Sequence, residues 1–175
     1  MPEALELGTR RRIFEHVRRF PGTHFREILR ALELQPGELE YHLHTLEKAR
    51  LLSGQDEGGR RRYFVSAEIA YPDHALLGLL RQAAVRRILL QLLSRPGLTF
   101  QDLLGSVGGA KSTLSFHLKK VTSSGLVTAD RSNRERAYRV QEPERLANLL
   151  VTYRASFLDA AVDRFVELWL GLEGP

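Results

Sequence analysis

The sequence predicts a mainly α-helical fold with two small β-hairpins, built from one structural unit that occurs twice in tandem. Shifting the chain by 75 residues aligns residues 12–65 with residues 87–140 without a gap, which indicates two copies of one fold. In each copy, apolar residues first recur at helical spacing and then form two short runs on either side of a turn. Identical residues at matched positions include Arg12/Arg87, Ile13/Ile88, Pro21/Pro96, Gly22/Gly97, Leu39/Leu114, His42/His117, Arg61/Arg136 and Tyr63/Tyr138.

The composition favours an intracellular protein with an anionic partner. The 175-residue chain has a formal net charge of +5, and nucleic acid is the commonest partner of basic domains. It contains no cysteine, which excludes a disulfide framework, a thiolate metal site and a cysteine nucleophile. The N-terminus does not look like a secretory signal, and the apolar stretches are shorter than the roughly 20 residues that cross a bilayer. We therefore expect a cytoplasmic, nucleoid-associated protein without membrane contact.

The first copy divides into three helices. Residues 9–20 carry apolar side chains at helical spacing, and Pro21 ends this helix because proline cannot continue it. Thr23 is expected to cap a short second helix, because a threonine hydroxyl can accept from the free N–H groups of the first turn. A third helix is expected from Pro36 to about Ala49, since proline is favourable at a first helical position.

A β-hairpin follows the third helix in each copy. In the first copy, a polar and glycine-rich turn at 55–59 separates the two expected strands. In the second copy, the helices are predicted at about 85–95, 99–106 and 110–123, and the hairpin from Leu126 to Val140. Three helices followed by such a hairpin are the elements of a winged helix-turn-helix unit.

The segments LEYHLHTLEKARLL (39–52) and LSFHLKKVTSSGLV (114–127) look like the third-helix-to-wing signature of the ArsR group of prokaryotic regulators. As three-helix units with a wing, both copies also resemble the MarR family. The tandem arrangement is most similar to small two-winged-helix regulators known from archaea. These resemblances imply a transcriptional regulator that binds double-stranded DNA.

The segments outside the two copies are predicted to be helical. Residues 67–84 are expected to form a helical linker, with one long helix from about 73 to 94 that continues into the second copy. The tail is expected to be a second long helix, 142–173, with a broad apolar stripe that must pack against something. Packing within the chain and packing against a second copy as a homodimer are both open. The predicted domains are 1–66 (first unit), 67–84 (linker), 85–140 (second unit) and 141–175 (C-terminal helix, for dimerisation).

The third helix of the second copy is the strongest candidate for reading DNA. In this fold the third helix enters the major groove, and the wing contacts phosphates. Residues 110–123 hold three lysines and no acid, and residues 85–140 have a net charge of +7. The candidate DNA-binding residues of this copy are Lys111, Ser112, Thr113, Ser115, Phe116, His117, Lys119 and Lys120 on the helix, with Arg131, Arg134 and Arg136 on the wing.

The third helix of the first copy is acidic. Residues 35–48 have a net charge of −2, and carboxylates facing phosphates are unfavourable. The candidate contacts in this copy are Gln35, Glu38, Tyr41 and His44 on the helix, with Arg60, Arg61 and Arg62 on the wing. Three roles stay open for this copy: reading bases with an acidic contact, gripping only the DNA backbone through the wing, or binding a protein such as a basal transcription factor.

Other function classes are less well supported by the residues. His42 and His117 occupy matched positions, but the sequence around them offers no set of ligands with the spacing of a metal site, so we expect no metal and no cofactor. No catalytic motif is evident, which argues against an enzyme. The alternative function is a protein-binding tandem winged-helix scaffold that recruits basal transcription or chromosome-associated factors, and RNA binding is a third possibility.

Overall fold

The computed structural model describes residues 3–132 and 135–172, and the chain divides into two compact units between Gly78 and Leu79. After a short 3-10 helix (Glu3–Leu5), unit 1 contains α1 (Gly8–Arg19), β1 (Thr23–His24), α2 (Phe25–Leu32), α3 (Pro36–Lys48), β2 (Leu52–Glu57), β3 (Arg60–Val65) and most of α4 (Tyr71–Leu80). Unit 2 contains α5 (Ala83–Ser94), β4 (Leu98–Thr99), α6 (Phe100–Val107), α7 (Lys111–Ser123), β5 (Val127–Ser132), β6 (Glu135–Val140), α8 (Pro143–Thr152), α9 (Arg154–Phe157) and α10 (Ala160–Leu172). The predicted tandem of winged helix-turn-helix units is confirmed.

The two units have the same core. Apolar side chains from the three helices and the wing pack together in each unit, and the same repeat positions are buried in both. These matched pairs are Ile13/Ile88, Val17/Leu92, Ile28/Leu103, Leu39/Leu114, Leu43/Leu118, Leu46/Val121, Leu52/Val127 and Tyr63/Tyr138. Because burying each such side chain contributes about 1.5–3 kcal/mol, this shared set is the main source of stability in either unit.

Each wing is a three-stranded antiparallel sheet rather than a two-stranded hairpin. The strand orders are β1-β3-β2 and β4-β6-β5. The strands β1 and β4 have only two residues each, which is too short for an alternating pattern to be visible in the sequence. In unit 1 the hairpin turn is confined to Gly58 and Gly59, whose φ angles of 56° and 78° are those of a tight two-residue turn.

The N-terminal cap of α2 differs from the predicted one. Thr23 lies in β1 and is fully buried, and His24 takes the cap position. Glu27 reaches back to both residues, accepting from the Thr23 hydroxyl and from the His24 N–H at 3.0 Å each. In unit 2 the matched position is Thr99, which accepts from the N–H of Asp102 at 3.2 Å. The expected cap lies one residue too early, because α2 begins at Phe25 and the residue directly before it is His24.

The expected long helix over 73–94 is wrong, because the structure contains two helices, α4 and α5. Gln82 has an extended backbone conformation with φ −85° and ψ 111°, and it begins α5. The Arg86 guanidinium donates to the Leu80 carbonyl at 2.8 Å, which satisfies a backbone acceptor at the end of α4. No local signal marks this break, because Arg81 and Gln82 are both favourable in helices.

The expected long C-terminal helix is also wrong, because the tail forms three helices, α8, α9 and α10. The first break falls at Tyr153, and the second falls at Leu158, whose φ of 50° is left-handed. Asp159 then starts α10 by accepting from the Ala161 N–H at 2.9 Å. The tail packs within unit 2, where α10 lies against α5 and α8 and buries Val162, Phe165 and Val166.

A buried ion pair attaches the tail to α5. Arg86 is 7% exposed, and its guanidinium lies 2.7 Å from the Asp159 carboxylate. The same guanidinium lies over the ring of Phe157, 5.4 Å from its centroid. Burial opposes ionisation of Asp159, but the hydrogen bonds from Arg86 and from the Ala161 N–H outweigh it and lower the pKa of Asp159. Both partners are therefore charged at neutral pH.

Replacing Arg86 by glutamine is expected to destabilise unit 2 by about 3 kcal/mol, because it leaves a carboxylate without its cation in a largely buried site. The neighbouring variant Arg87→Gln changes an exposed side chain and should cost less than about 0.5 kcal/mol. Urea unfolding followed by the fluorescence of Trp169, the single tryptophan and a residue of α10, measures both. Equal unfolding midpoints for the two variants would contradict this account of the tail.

Candidate nucleic-acid interface

The third helix of each unit buries one face and exposes the other. In α7 the inward residues Leu114, Leu118 and Val121 are almost fully buried. In a helix, residues three and four apart share a face, so this stripe decides which side chains point outward. The packing of the core therefore determines which residues form the outer face of each third helix.

The outer face of α7 combines hydroxyl groups, one aromatic ring and lysine side chains. Ser112, Ser115, Phe116 and Lys119 follow one another at helical spacing, and all are exposed, Phe116 to 65%. Lys111 and Thr113, in the first turn, are exposed as well. The structure thus brings six of the predicted helix residues to the surface, with no acid on the helix to offset their charge.

Two predicted residues of α7 lie away from this face. The Lys120 ammonium donates to the Gln82 side-chain oxygen at 3.0 Å, so it is engaged within unit 2. His117 is half-buried with its ring against Phe116. Burial lowers the pKa of His117, and the nearby Lys120 lowers it further, so its imidazole is neutral at neutral pH. The sequence alone does not distinguish Lys119 from Lys120, because the two residues are adjacent and of the same type.

The wing of unit 2 places arginines opposite each other. Arg136 of β6 is exposed, and the strand register pairs it with Arg131 of β5. The third predicted wing residue, Arg134, lies outside the described residues.

The outer face of α3 has the same shape but a different charge. Tyr41 occupies the position of Phe116 and is 67% exposed, and His44 occupies that of Lys119. Gln35 and Glu38 are also exposed, and a Glu38 oxygen lies 3.9 Å from Nε2 of the buried His42. This face therefore presents an aromatic ring beside carboxylates instead of ammonium groups.

The predicted wing arginines of unit 1 are mostly engaged by acids of the same unit. Arg61 pairs with Glu47 of α3 at 2.7 Å and with Asp56 of β2 at 3.4 Å, and the hydrogen bond that it donates to Glu47 raises the pKa of Arg61. Arg62 pairs with Glu57 and donates to the Gly22 carbonyl at 2.8 Å. The sequence showed a basic run at 60–62, but the structure shows that two of its three charges are locally compensated.

The two wings differ because unit 2 lacks these acids. At the positions of Glu47, Asp56 and Glu57, unit 2 has Thr122, Arg131 and Ser132. The same strand register that pairs Asp56 with Arg61 in unit 1 pairs Arg131 with Arg136 in unit 2. The acids that pair with the wing arginines of unit 1 therefore have no counterparts at the matched positions of unit 2.

Unit 1 has a basic cleft that the sequence analysis missed. It lies between α2 and the tip of the first wing, has a volume of about 610 Å³ and is lined by four arginines. Two of them, Arg60 and Arg61, were expected, whereas Arg26 and Arg30 were not. The available signal was the spacing of four residues between Arg26 and Arg30, which puts both on one face of α2.

Two other kinds of site are not seen in the part of the chain that the structure describes. Within the described ranges, 3–132 and 135–172, no group of three histidine or acidic side chains is arranged to hold a metal ion. None of the helices in that part of the chain has the length and apolar character needed to cross a membrane.

Two units, each with three helices, a wing and an outward-facing third helix, define a tandem winged helix-turn-helix protein, a fold that occurs in DNA-binding transcription regulators. A family model described as an N-terminal HTH domain matches residues 7–76. The model of the arsR family of bacterial regulatory proteins matches residues 84–129. The two matches fall on the two copies of the repeat, one each.

A curated relative supports the same class. An uncharacterized HTH-type transcriptional regulator of Methanocaldococcus jannaschii is 28% identical over 134 residues, which are 77% of this chain. The aligned part is 34% of the relative, so the chain spans about a third of the length of the curated protein that it matches.

Changing Lys119 to alanine is expected to weaken DNA binding and to reduce the slope of log K against log salt by about 0.9, the value for one lost phosphate contact. The matched variant Lys120→Ala should leave the slope nearly unchanged, because that ammonium is bound to Gln82. Fluorescence anisotropy on duplex DNA at several salt concentrations measures both slopes. A larger change for Lys120→Ala would show that α7 faces DNA in a different rotation.

Proposed function

We propose that this chain is a sequence-specific regulator of transcription that binds double-stranded DNA, with unit 2 as its main reader. The observation that carries the proposal is the outer face of α7, which exposes hydroxyl, aromatic and ammonium groups and has no carboxylate. Duplex DNA carries one negative charge per about 1.7 Å of its axis, so a helix of this charge gains affinity from the backbone alone. Arg136, which is exposed on the second wing, adds to that affinity.

Sequence recognition would come from the uncharged part of the same face. The Ser112 and Ser115 hydroxyls can both donate to and accept from base edges in the major groove. The exposed ring of Phe116 suits apolar contact with a thymine methyl group, which only A·T pairs present there. Lys119 can reach guanine or a phosphate. Together these groups supply the two kinds of contact that recognition needs, base reading and backbone positioning.

Unit 1 is proposed to hold the DNA backbone rather than to read bases. Its third helix exposes Glu38 and Glu40, which phosphates disfavour, and the acids around its wing neutralise Arg61 and Arg62. The cleft with Arg26 and Arg30 is a basic surface of unit 1 outside these ion pairs. If unit 1 instead binds a basal transcription factor, changes in this cleft will leave DNA affinity unaltered.

Sequence specificity is tested by comparing Phe116→Ala with Arg26→Ala. A preferred site is first selected from random duplexes with the full-length chain. Phe116→Ala should lower the ratio of specific to non-specific affinity by about tenfold, because one base contact is worth about 1–3 kcal/mol. Arg26→Ala should weaken binding to both DNAs by the same factor, because a phosphate contact carries no sequence information.

Tyr41→Ala is the matched control, because Tyr41 is the repeat equivalent of Phe116. It should leave the specificity ratio within about twofold of the wild-type value, a range well below the effect of one lost base contact. A larger effect of Tyr41→Ala than of Phe116→Ala would make unit 1 the reader. Selection that yields no preferred site would refute sequence specificity and leave only general DNA binding.

We further propose that the protein acts as a homodimer through its tail and resides on the nucleoid in the cytoplasm. Although the tail packs within unit 2, Leu168 and Leu158 remain 70% and 82% exposed. Large apolar side chains left in water are a feature of surfaces that bind partners. A two-fold symmetric dimer would in turn require an operator with two-fold sequence symmetry.

The variant Leu168→Glu is expected to convert the dimer into a monomer, since a carboxylate cannot be buried at a symmetric apolar contact without a partner. Light scattering after size exclusion measures the molecular mass at protein concentrations above and below that at which the dimer dissociates. Asn148→Glu, which changes an exposed residue of α8, is the control and should remain dimeric. A monomeric wild-type chain, or a Leu168→Glu variant with wild-type mass, would exclude dimerisation through α10.

A further inference from the structure

The outer faces of the two third helices carry opposite charges on the same framework. Residues 35–48 have a net charge of −2, and the matched region of unit 2, residues 110–123, has a net charge of +3. Near the middle of each face lies an exposed aromatic ring, Tyr41 on α3 and Phe116 on α7. The two faces are therefore complementary in charge and similar in shape.

The charges of these faces point to solvent. The carboxylates of Glu38 and Glu40 are exposed on α3, as are the ammonium groups of Lys111 and Lys119 on α7. Among the described residues, no ion pair involves Glu40 or either of these lysines. A Glu38 oxygen lies 3.9 Å from Nε2 of His42, which is at the limit of an ion pair. Unlike the acids of the first wing, these acids are not engaged by arginines of their own unit.

The order of residues along each helix selects one orientation of the two faces. Each face has a row of three residues with a spacing of three, centred on its ring. The rows are Glu38, Tyr41 and His44 on α3 and Thr113, Phe116 and Lys119 on α7. If the helices are antiparallel and the rings meet, Glu38 lies opposite Lys119 and His44 lies opposite Thr113. Parallel helices would instead place His44 opposite Lys119 and leave Glu38 without a cation.

Contacts between like faces are unfavourable in comparison. Two copies of α3 would bring carboxylates together, and two copies of α7 would bring lysines together, which opposes association in both cases. The unlike pair combines attraction between charges with the removal of two aromatic rings from water. A second copy of this chain carries both faces and therefore supplies the complement of either one.

We propose that, in the absence of DNA, the outer face of α3 binds the outer face of α7 of a second copy of this chain, with the two helices antiparallel. In this contact the ring of Tyr41 lies against that of Phe116, and Glu38 pairs with Lys119. The contact is separate from the dimer contact proposed for α10. It is weak, because ion pairs between exposed side chains contribute little and are screened by salt.

The contact has a consequence for DNA binding, and this consequence rests on the proposed function. The face of α7 that binds α3 is the face proposed to read DNA. The same side chains cannot serve both partners at once, so duplex DNA and the second copy compete for α7. The acidic face of unit 1 thus occupies the reading face in place of the DNA backbone until a duplex displaces it.

The test is a crosslinking rate, measured at low salt with the full chain, which contains no cysteine of its own. Thr113→Cys is treated with excess bismaleimide of about 10 Å reach, comparable to the distance between packed helix axes, and is freed of unbound reagent. It is then mixed with His44→Cys, and covalent dimers are followed on a denaturing gel. They should form at least about fivefold faster than with Ala31→Cys, an exposed control position on α2, because the contact raises the local concentration of the thiol.

Charge reversal tests the ion pair and the orientation. Adding Glu38→Lys to the His44→Cys chain should slow crosslinking at least about threefold, because an attraction between exposed charges becomes a repulsion. Adding Lys119→Glu to the Thr113→Cys chain as well should restore the rate. Glu15→Lys, which makes the same change of charge on α1, is the control and should leave the rate unchanged.

Repeating the measurement with Leu168→Glu in both chains separates this contact from the proposed dimer contact of α10, and the rate should persist. Equal rates for His44→Cys and Ala31→Cys, failure of Lys119→Glu to restore the rate, or loss of crosslinking in the Leu168→Glu chains would each overturn the proposed contact.

Saturating duplex DNA should abolish the difference between His44→Cys and Ala31→Cys, and a difference that persists on DNA-bound chains would overturn the competition. The anisotropy measurement reports DNA binding independently. A chain that binds no DNA would refute the proposed function and leave the crosslinking rates as they are, so the two failures are distinguishable.

Discussion

The burial of one stripe of each third helix is the constraint on which the functional surface depends. Leu39, Leu43 and Leu46 in unit 1, like their equivalents in unit 2, cannot be exposed without losing the core. The helix rotation is therefore fixed, and with it the set of side chains that face a partner. Surface residues at these helices are free to change without altering the fold, which is how one framework carries two different surfaces.

The two units use that freedom in opposite ways. In unit 1, acids on α3 and on the wing pair with the wing arginines, as Glu47 does with Arg61. The charges of this surface therefore compensate one another. In unit 2, the matched positions hold no acid. The asymmetry therefore comes from a few substitutions at repeat-equivalent positions and not from a difference in architecture. It makes unit 1 less suited than unit 2 to a polyanionic partner, apart from the cleft beside α2.

Local signals in the sequence predicted most of each repeat. Pro36 marks the start of the third helix, and the spacing of the apolar residues gives its buried face, because both depend only on neighbours a few residues away. The helix breaks at Gln82 and Leu158 were not predictable in this way. They depend on Arg86 and Asp159, which are distant in sequence and close in space. No pattern in a short window records such a contact.

The candidate interface could likewise be predicted from the sequence only in part. The exposure of Phe116 and Lys119 follows from helical periodicity once the core stripe is known. The engagement of Lys120 by Gln82 and of Arg61 by Glu47 does not, because each needs the position of a second element.

The link between Arg86 and Asp159 has a consequence for how unit 2 is made. The two residues are 73 positions apart, so α5 leaves the ribosome long before the carboxylate that compensates its buried arginine. Contacts of such sequence separation close slowly, because the intervening chain must first be ordered. Unit 1 ends at Gly78, so its residues are synthesised first and its core can form during synthesis. Unit 2 is thus the later one to mature, because its Arg86 has no carboxylate partner until the tail is made.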